Sequence, residues 1–218
     1  MIVRAWLVLV LLALSVDIGF AATEESSKLL SAKALEECDL GRRAKERSDR
    51  LGHFEKSQAL AERAVALDDQ HADAHFALFC SLGERGRIDG EKSLSALFGF
   101  GKVMRELDRT LELDPTHLDA LSSKGAFLIR LPSALGGDVE RGEQMLRNVI
   151  QRAPKAINAR LSLAKSYAAR GKEAEGITLA ADALKFAQAE KRADLIPEAE
   201  ATLAELKSTS PVSSLVSP

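Results

Sequence analysis

The stretch from Leu161 to Leu184, LSLAKSYAARGKEAEGITLAADAL, decides how the chain is read. Leu163, Ala164 and Tyr167 fall three and four residues apart, and so do Gly176, Ala180 and Ala183. Such steps place side chains on one face of an α-helix, and Gly171 between the two runs marks a turn. The segment therefore predicts two helices joined by a short turn and packed through small residues.

The second half of this pattern recurs upstream. Ser57, Ala61 and Ala64 lead to Asp69; Val103, Leu107 and Thr110 lead to Pro115; Gly142, Leu146 and Val149 lead to Pro154. In the final copy the closing position is Gln188. Each closing residue is expected to end its helix and turn the chain, which proline does by lacking an N–H. A partner helix precedes each, with His75, Leu78, Phe79 and Leu82 in one and Leu121, Gly125 and Leu128 in another. Gly125, or Ala164 in the last copy, lets the second helix approach closely. No alternating Val/Ile/Thr run or Asn-Gly hairpin signal marks a strand.

This order of small residue, aromatic and glycine resembles the tetratricopeptide repeat. The interval from Pro154 to Gln188 is its 34 residues. Asp69 to Pro115 spans 46 and Pro115 to Pro154 spans 39, the excess falling in IDGEKSLSALFGF and LPSALGG between paired helices. With these inserts, residues 74–184 are similar to a divergent subgroup. It includes the T-component of tripartite ATP-independent periplasmic (TRAP) transporters and the regulator-of-microtubule-dynamics family. The resemblance implies an all-α, right-handed α-solenoid of about four helix-turn-helix repeats with a C-terminal capping helix. The repeats are expected near 35–70, 71–116, 117–155 and 156–190, within a domain of 22–207, with the capping helix over 191–207. Pro197 falls near that helix's first turn. The Ser/Pro-rich end, 208–218, is expected to be disordered.

Composition agrees with this class. The chain has 218 residues, 46% hydrophobic and 28% charged, with only 5% aromatic, a helix-forming mixture. A net charge of −2 argues against nucleic acid as partner. The N-terminus reads as a secretory signal peptide, 1–21: basic MIVR, an apolar run from Ala5 to Val16, then Gly19 and Ala21 before cleavage. Twelve apolar residues are too few to span a bilayer, so no membrane span is expected after cleavage. Cys38 and Cys80 then enter an oxidising compartment. Cys38 is placed at the start of the first repeat's leading helix and Cys80 about eight residues deeper in the second's. That offset, about 12 Å along a helix, exceeds the reach of a disulfide, so buried thiols are expected.

Each candidate site has a structural counterpart. Gly136-Gly137-Asp138 lacks the following Lys-Ser/Thr and the preceding strand of a phosphate loop. It reads as a turn, with Asp138 as the cap of the next helix. His71 and His75 are four apart near several aspartates, but one falls in a turn and the other on a packing face, so no metal is expected. No cofactor or nucleophile motif is present, and an enzyme is not expected.

The leading helices of such repeats line a concave face. The residues expected there are Phe76, Asp119, Ser122, Arg130, Asn158, Leu161 and Lys165, with Arg130, Asn158 and Lys165 as donors. The expected function is an exported, non-enzymatic scaffold binding another protein in the periplasm, with assistance to a transporter or envelope assembly as one form. Oligomerisation stays open. The alternative is a protein that binds a metabolite or lipid near the insert at 89–101, where Phe98 and Phe100 sit.

Overall fold

The computed structural model describes residues 24–89 and 94–209, so the expected signal peptide and most of the expected tail lie outside the described residues. The elements described are helical, and the chain divides into two units, Met1–Asp114 and Pro115–Pro218.

In the first unit α1 covers 24–43. It is followed by α2 (Arg47–Leu67), α3 (Ala72–Asp89) and α4 (Leu94–Leu113). The face that α2 buries is Phe54, Ser57, Ala61 and Ala64, spaced as one helical stripe. Ala34 of α1 and Ala77 and Leu78 of α3 close against Ala61. Small side chains let the backbones come near enough for hydroxyls to bridge them. Ser57 Oγ donates to the Ala34 carbonyl at 2.7 Å, and Ser27 Oγ donates to the Ala64 carbonyl at 3.0 Å. In α4 the corresponding stripe, Val103, Leu107 and Thr110, is also buried.

The cysteines correct the expectation of free thiols. Cys38 and Cys80 form a disulfide, with Cα atoms 6.6 Å apart. The error lay in the helix start. Because α1 begins by residue 24, Cys38 stands in its C-terminal half, beside the middle of α3, and the supposed eight-residue offset disappears. The bridge is buried against Phe54 and Ile88, and Arg42 Nη2 lies 3.0 Å from Cys80 Sγ.

The second unit holds α5 (Leu118–Arg130), a 3₁₀ turn (Ser133–Leu135), α6 (Val139–Arg152), α7 (Ile157–Ala169), α8 (Glu173–Ala189) and α9 (Ile196–Thr209). Successive helices pack in order, and α7 also touches α5 and α9. The core stripes are again the spaced small and apolar residues: Gly142, Leu146 and Val149 in α6, and Gly176, Ala180 and Ala183 in α8. Leu146, Val149, Ala159 and Leu163 form one cluster; Ile157, Leu161, Ala183, Ala187 and Ala199 form another. Helix α9 buries Ala199, Thr202 and Leu206, a three-and-four spacing that seals the end of the stack. Gln188, expected to end its helix, still lies inside α8. The chain turns instead beyond α8, where Lys191 has φ 54° and the Arg192 guanidinium is held by Asp194 at 2.6 and 2.9 Å.

Candidate interaction surfaces

The Gly-Gly-Asp segment is built as a turn. Leu131, ahead of Pro132, is extended and ends α5, as a residue before proline prefers. Gly136 takes φ 86°. A Cβ on Gly137 would stand 1.8 Å from the Leu131 carbonyl oxygen, so only glycine fits. Asp138 caps α6 by accepting from the Arg141 N–H at 3.0 Å. Its backbone groups are thus spent on the chain itself.

The two histidines serve different joints. His75 is buried, with Nδ1 at 2.7 Å from Glu106 Oε2 and Nε2 at 3.0 Å from the Asp69 carbonyl. Burial disfavours the imidazolium, but the hydrogen bonds to Glu106 and Asp69 and the Glu106 charge outweigh it and the neighbouring Arg109. The pKa is held above the ordinary histidine range. His71 Nδ1 lies 3.4 Å from both Ser27 Oγ and Ser31 Oγ, and its Nε2 lies 3.9 Å from Asp73. The residue types match a nucleophile, base and acid, a grouping the sequence reading did not find. The geometry does not serve catalysis: Ser27 is fully buried, and the two hydroxyls donate to the Ala64 and Lys28 carbonyls. The cluster ties α1 to the turn between α2 and α3. Among the described residues no three His, Cys, Asp or Glu side chains converge as a metal site requires.

The residues expected on the concave face divide into two groups. Asp119, Arg130 and Asn158 are exposed and Ser122 is half-buried, with the Arg130 guanidinium 5.4 Å from the Phe127 ring centre. The other three are occupied. Phe76 is 6% exposed and packs on Phe79 with ring centres 5.6 Å apart. Leu161 is 2% exposed, in the cluster that includes Ala199 of α9. Lys165 Nζ pairs with Glu198 of α9 at 2.8 Å. Phe76 and Leu161 are thus engaged in packing and Lys165 in an ion pair with the capping helix, whereas Asn158 on the same helix α7 stays exposed. Of the insert, residues 90–93 lie outside the described residues and Phe100 is exposed.

The sequence reading missed a groove on the other side of α7. It is an open surface groove of about 390 Å³ between α6, α7 and α8. Ile150, Leu163, Tyr167 and Leu179 supply its apolar surface; Arg147 and Gln151 stand on the α6 side, Glu175 and Thr178 on the α8 side. Tyr167 is nine residues from Asn158, which places it about 180° around α7. Arg147 Nη1 donates to Tyr167 Oη at 3.1 Å and lies 3.5 Å from the buried carboxylate of Glu143. That carboxylate also accepts from Ser166 Oγ at 2.8 Å and faces Arg170 at 3.5 Å. The Tyr167 hydroxyl and the Glu143 charge hold the Arg147 guanidinium protonated. The one sequence signal for this groove was Leu163 and Tyr167, four apart on a face that the repeat template treats as packing.

Helix hairpins packed through spaced small residues and closed by a final helix define a tetratricopeptide-like, all-α helical repeat protein. Comparison with solved structures agrees. A tetratricopeptide-repeat protein of Thermus thermophilus, TTC0263, is 19% identical, with 71% of this chain and 75% of that chain covered and a TM-score of 0.52. Pseudomonas aeruginosa PilF is 15% identical, with 86% and 78% covered and a TM-score of 0.48. The first of these likenesses shows the fold. No family profile matches the chain, and no curated protein matches it.

Proposed function

We propose that the chain is an exported, non-enzymatic scaffold that binds another protein in the periplasm. One observation carries the reading: in a repeat fold of the kind that presents its leading helices to partners, Asp119 and Arg130 of α5 and Asn158 of α7 stand exposed. Of the buried ionisable groups, Glu37, Glu84, Glu143 and His75 pair with residues of neighbouring elements, while Arg160 donates to the Ala156 carbonyl and lies 4.8 Å from the Phe186 ring centre. Export is supported by the disulfide, since such bonds persist in oxidising compartments. Among the described residues no helix is long and apolar enough to cross a membrane. The resemblance to a transporter component adds transport assistance as the form to examine.

The test is cross-linking capture with residues 22–218 among the exported proteins of the source cell. A double variant, Arg130→Ala/Asn158→Ala, runs beside the native chain. The expected result is a partner captured by the native chain and lost by the variant. A partner kept by both moves docking to another face, and no partner in any exported fraction overturns the reading. Sequencing the mature N-terminus checks export, with Ala22 as the expected first residue.

A further inference from the structure

Helix α1 has two faces. Ser27, Ser31, Ala34, Cys38 and Gly41 form one stripe, buried against the rest of the first unit. On the opposite face Leu29 and Leu40 are 56% and 42% exposed. They are three helical turns apart, which sets them at the ends of one line about 16 Å long. Lys33 and Glu36 stand between them on that line, both exposed and neither with a hydrogen-bond or ion-pair partner among the described residues. Most other charges of the helix are matched within the chain. Glu24 pairs with Lys28, Asp39 with Arg43, Glu37 with His53 and Lys56, and Arg42 with Glu84. Glu25, also exposed, is the remaining one.

This line is complementary to itself. Leu29 and Leu40 stand equally far from its middle, between Ala34 and Leu35, and so do Lys33 and Glu36. A second α1 laid antiparallel across it therefore sets Leu29 against Leu40 of the other copy and Lys33 against its Glu36. Two-fold symmetry makes each of these contacts twice. Glu25 comes level with Arg43 of the other copy, again opposite in sign. A parallel arrangement sets Lys33 on Lys33 and Glu36 on Glu36, which like-charge repulsion disfavours. Two exposed leucines alone would accept many partners; the mirrored charges select the same helix reversed. We propose that the outer face of α1 docks a second copy of the chain, forming a two-fold dimer through antiparallel α1 helices. This goes beyond the scaffold reading and does not depend on it.

Sedimentation equilibrium of residues 22–218 tests this. One pair of helix faces is small beside the interfaces of tight complexes, so the expected dimer dissociates in the micromolar range. Leu29→Gln/Leu40→Gln, at exposed positions where folding is not at stake, should weaken it by at least about tenfold, the scale of losing central anchors. Circular dichroism checks that this variant is folded. Lys33→Glu should weaken the dimer about fivefold, because symmetry turns two surface pairs repulsive at once. Lys33→Glu/Glu36→Lys should recover the native constant. A short bismaleimide should couple Leu29→Cys to Leu40→Cys in a mixture and leave either variant alone uncoupled; the native cysteines are bonded to each other and do not react. A monomer at every concentration, millimolar included, overturns the proposal. So does a dimer that the leucine variant leaves unchanged, or one in which Leu29→Cys couples to itself. A foreign protein captured by a monomeric native chain and lost in Leu29→Gln/Leu40→Gln overturns it in favour of a different partner.

Discussion

The carbonyl oxygen of Gly125 lies 2.7 Å from where a Cβ on Gly142 would stand, so α5 and α6 meet backbone to backbone. Ile129 Cγ1 lies 2.8 Å from the same point. Contacts this close cannot absorb a methyl group without moving a helix. Gly142→Ala should therefore destabilise the second unit by about 1–3 kcal/mol, as overpacking does. Gly86 is the contrast: it sits inside α3, and nothing lies within 4 Å of a Cβ there. Gly86→Ala should stabilise by about 0.5–1 kcal/mol through helix propensity. Urea unfolding of both variants checks the opposite signs.

The disulfide gives the next prediction. It joins residues 42 apart, in α1 and α3 of the first unit. Chain-entropy arithmetic for a loop of that length gives about 4 kcal/mol. The double variant Cys38→Ser/Cys80→Ser should lose a substantial part of that, and hydrogen exchange should rise in α1 to α4. Exchange in α5 to α9 should stay as it is. Equal acceleration in both units would mean that they do not unfold separately.

These two relationships differ in how much of them the chain announces. The stripe Gly142, Leu146, Val149 was legible because helix packing demands small or apolar residues at fixed steps, and Gly125 was legible as its close neighbour. The disulfide was not. Its geometry depends on where α1 begins, and the first repeat departs too far from the template to place that start. The candidate site was legible only in part. Helix spacing located Asp119, Arg130 and Asn158 on exposed faces, but spacing alone does not say which side of α7 the final helix covers. That depends on how the chain turns at Lys191 and Arg192, a turn with no proline to mark it.

The covering of α7 is itself testable. Leu161 is enclosed by Ile157, Ala183, Ala187 and Ala199, whereas Lys165 makes a half-exposed ion pair with Glu198. Leu161→Ala should cost about 2–5 kcal/mol, as removal of a buried leucine does. Lys165→Ala should cost under about 1 kcal/mol. Thermal unfolding separates the two. Partner capture by Lys165→Ala should match the native chain. A loss of capture equal to that of Arg130→Ala would return Lys165 to the docking surface.

His75 makes the first unit sensitive to pH, with a definite sign. Its two nitrogens face two acceptors, the Glu106 carboxylate and the Asp69 carbonyl, an arrangement satisfied by the imidazolium because both nitrogens then donate. The native pKa is raised, while the unfolded chain titrates near the ordinary value of about 6.5. The folded state therefore holds the proton more tightly. The resulting stability is fully present below about pH 6.5 and is lost as pH rises through the raised native value. Burial, and to a lesser degree Arg109, opposes the shift, while the hydrogen bonds to Glu106 and Asp69 and the Glu106 charge sustain it. In Glu106→Gln the charge is removed while an acceptor stays, so the pH dependence over this window should flatten. Unfolding midpoints of the native chain and Glu106→Gln, measured from pH 5.5 to 8.5, give the comparison. A slope that survives in the variant would assign the titration to another group.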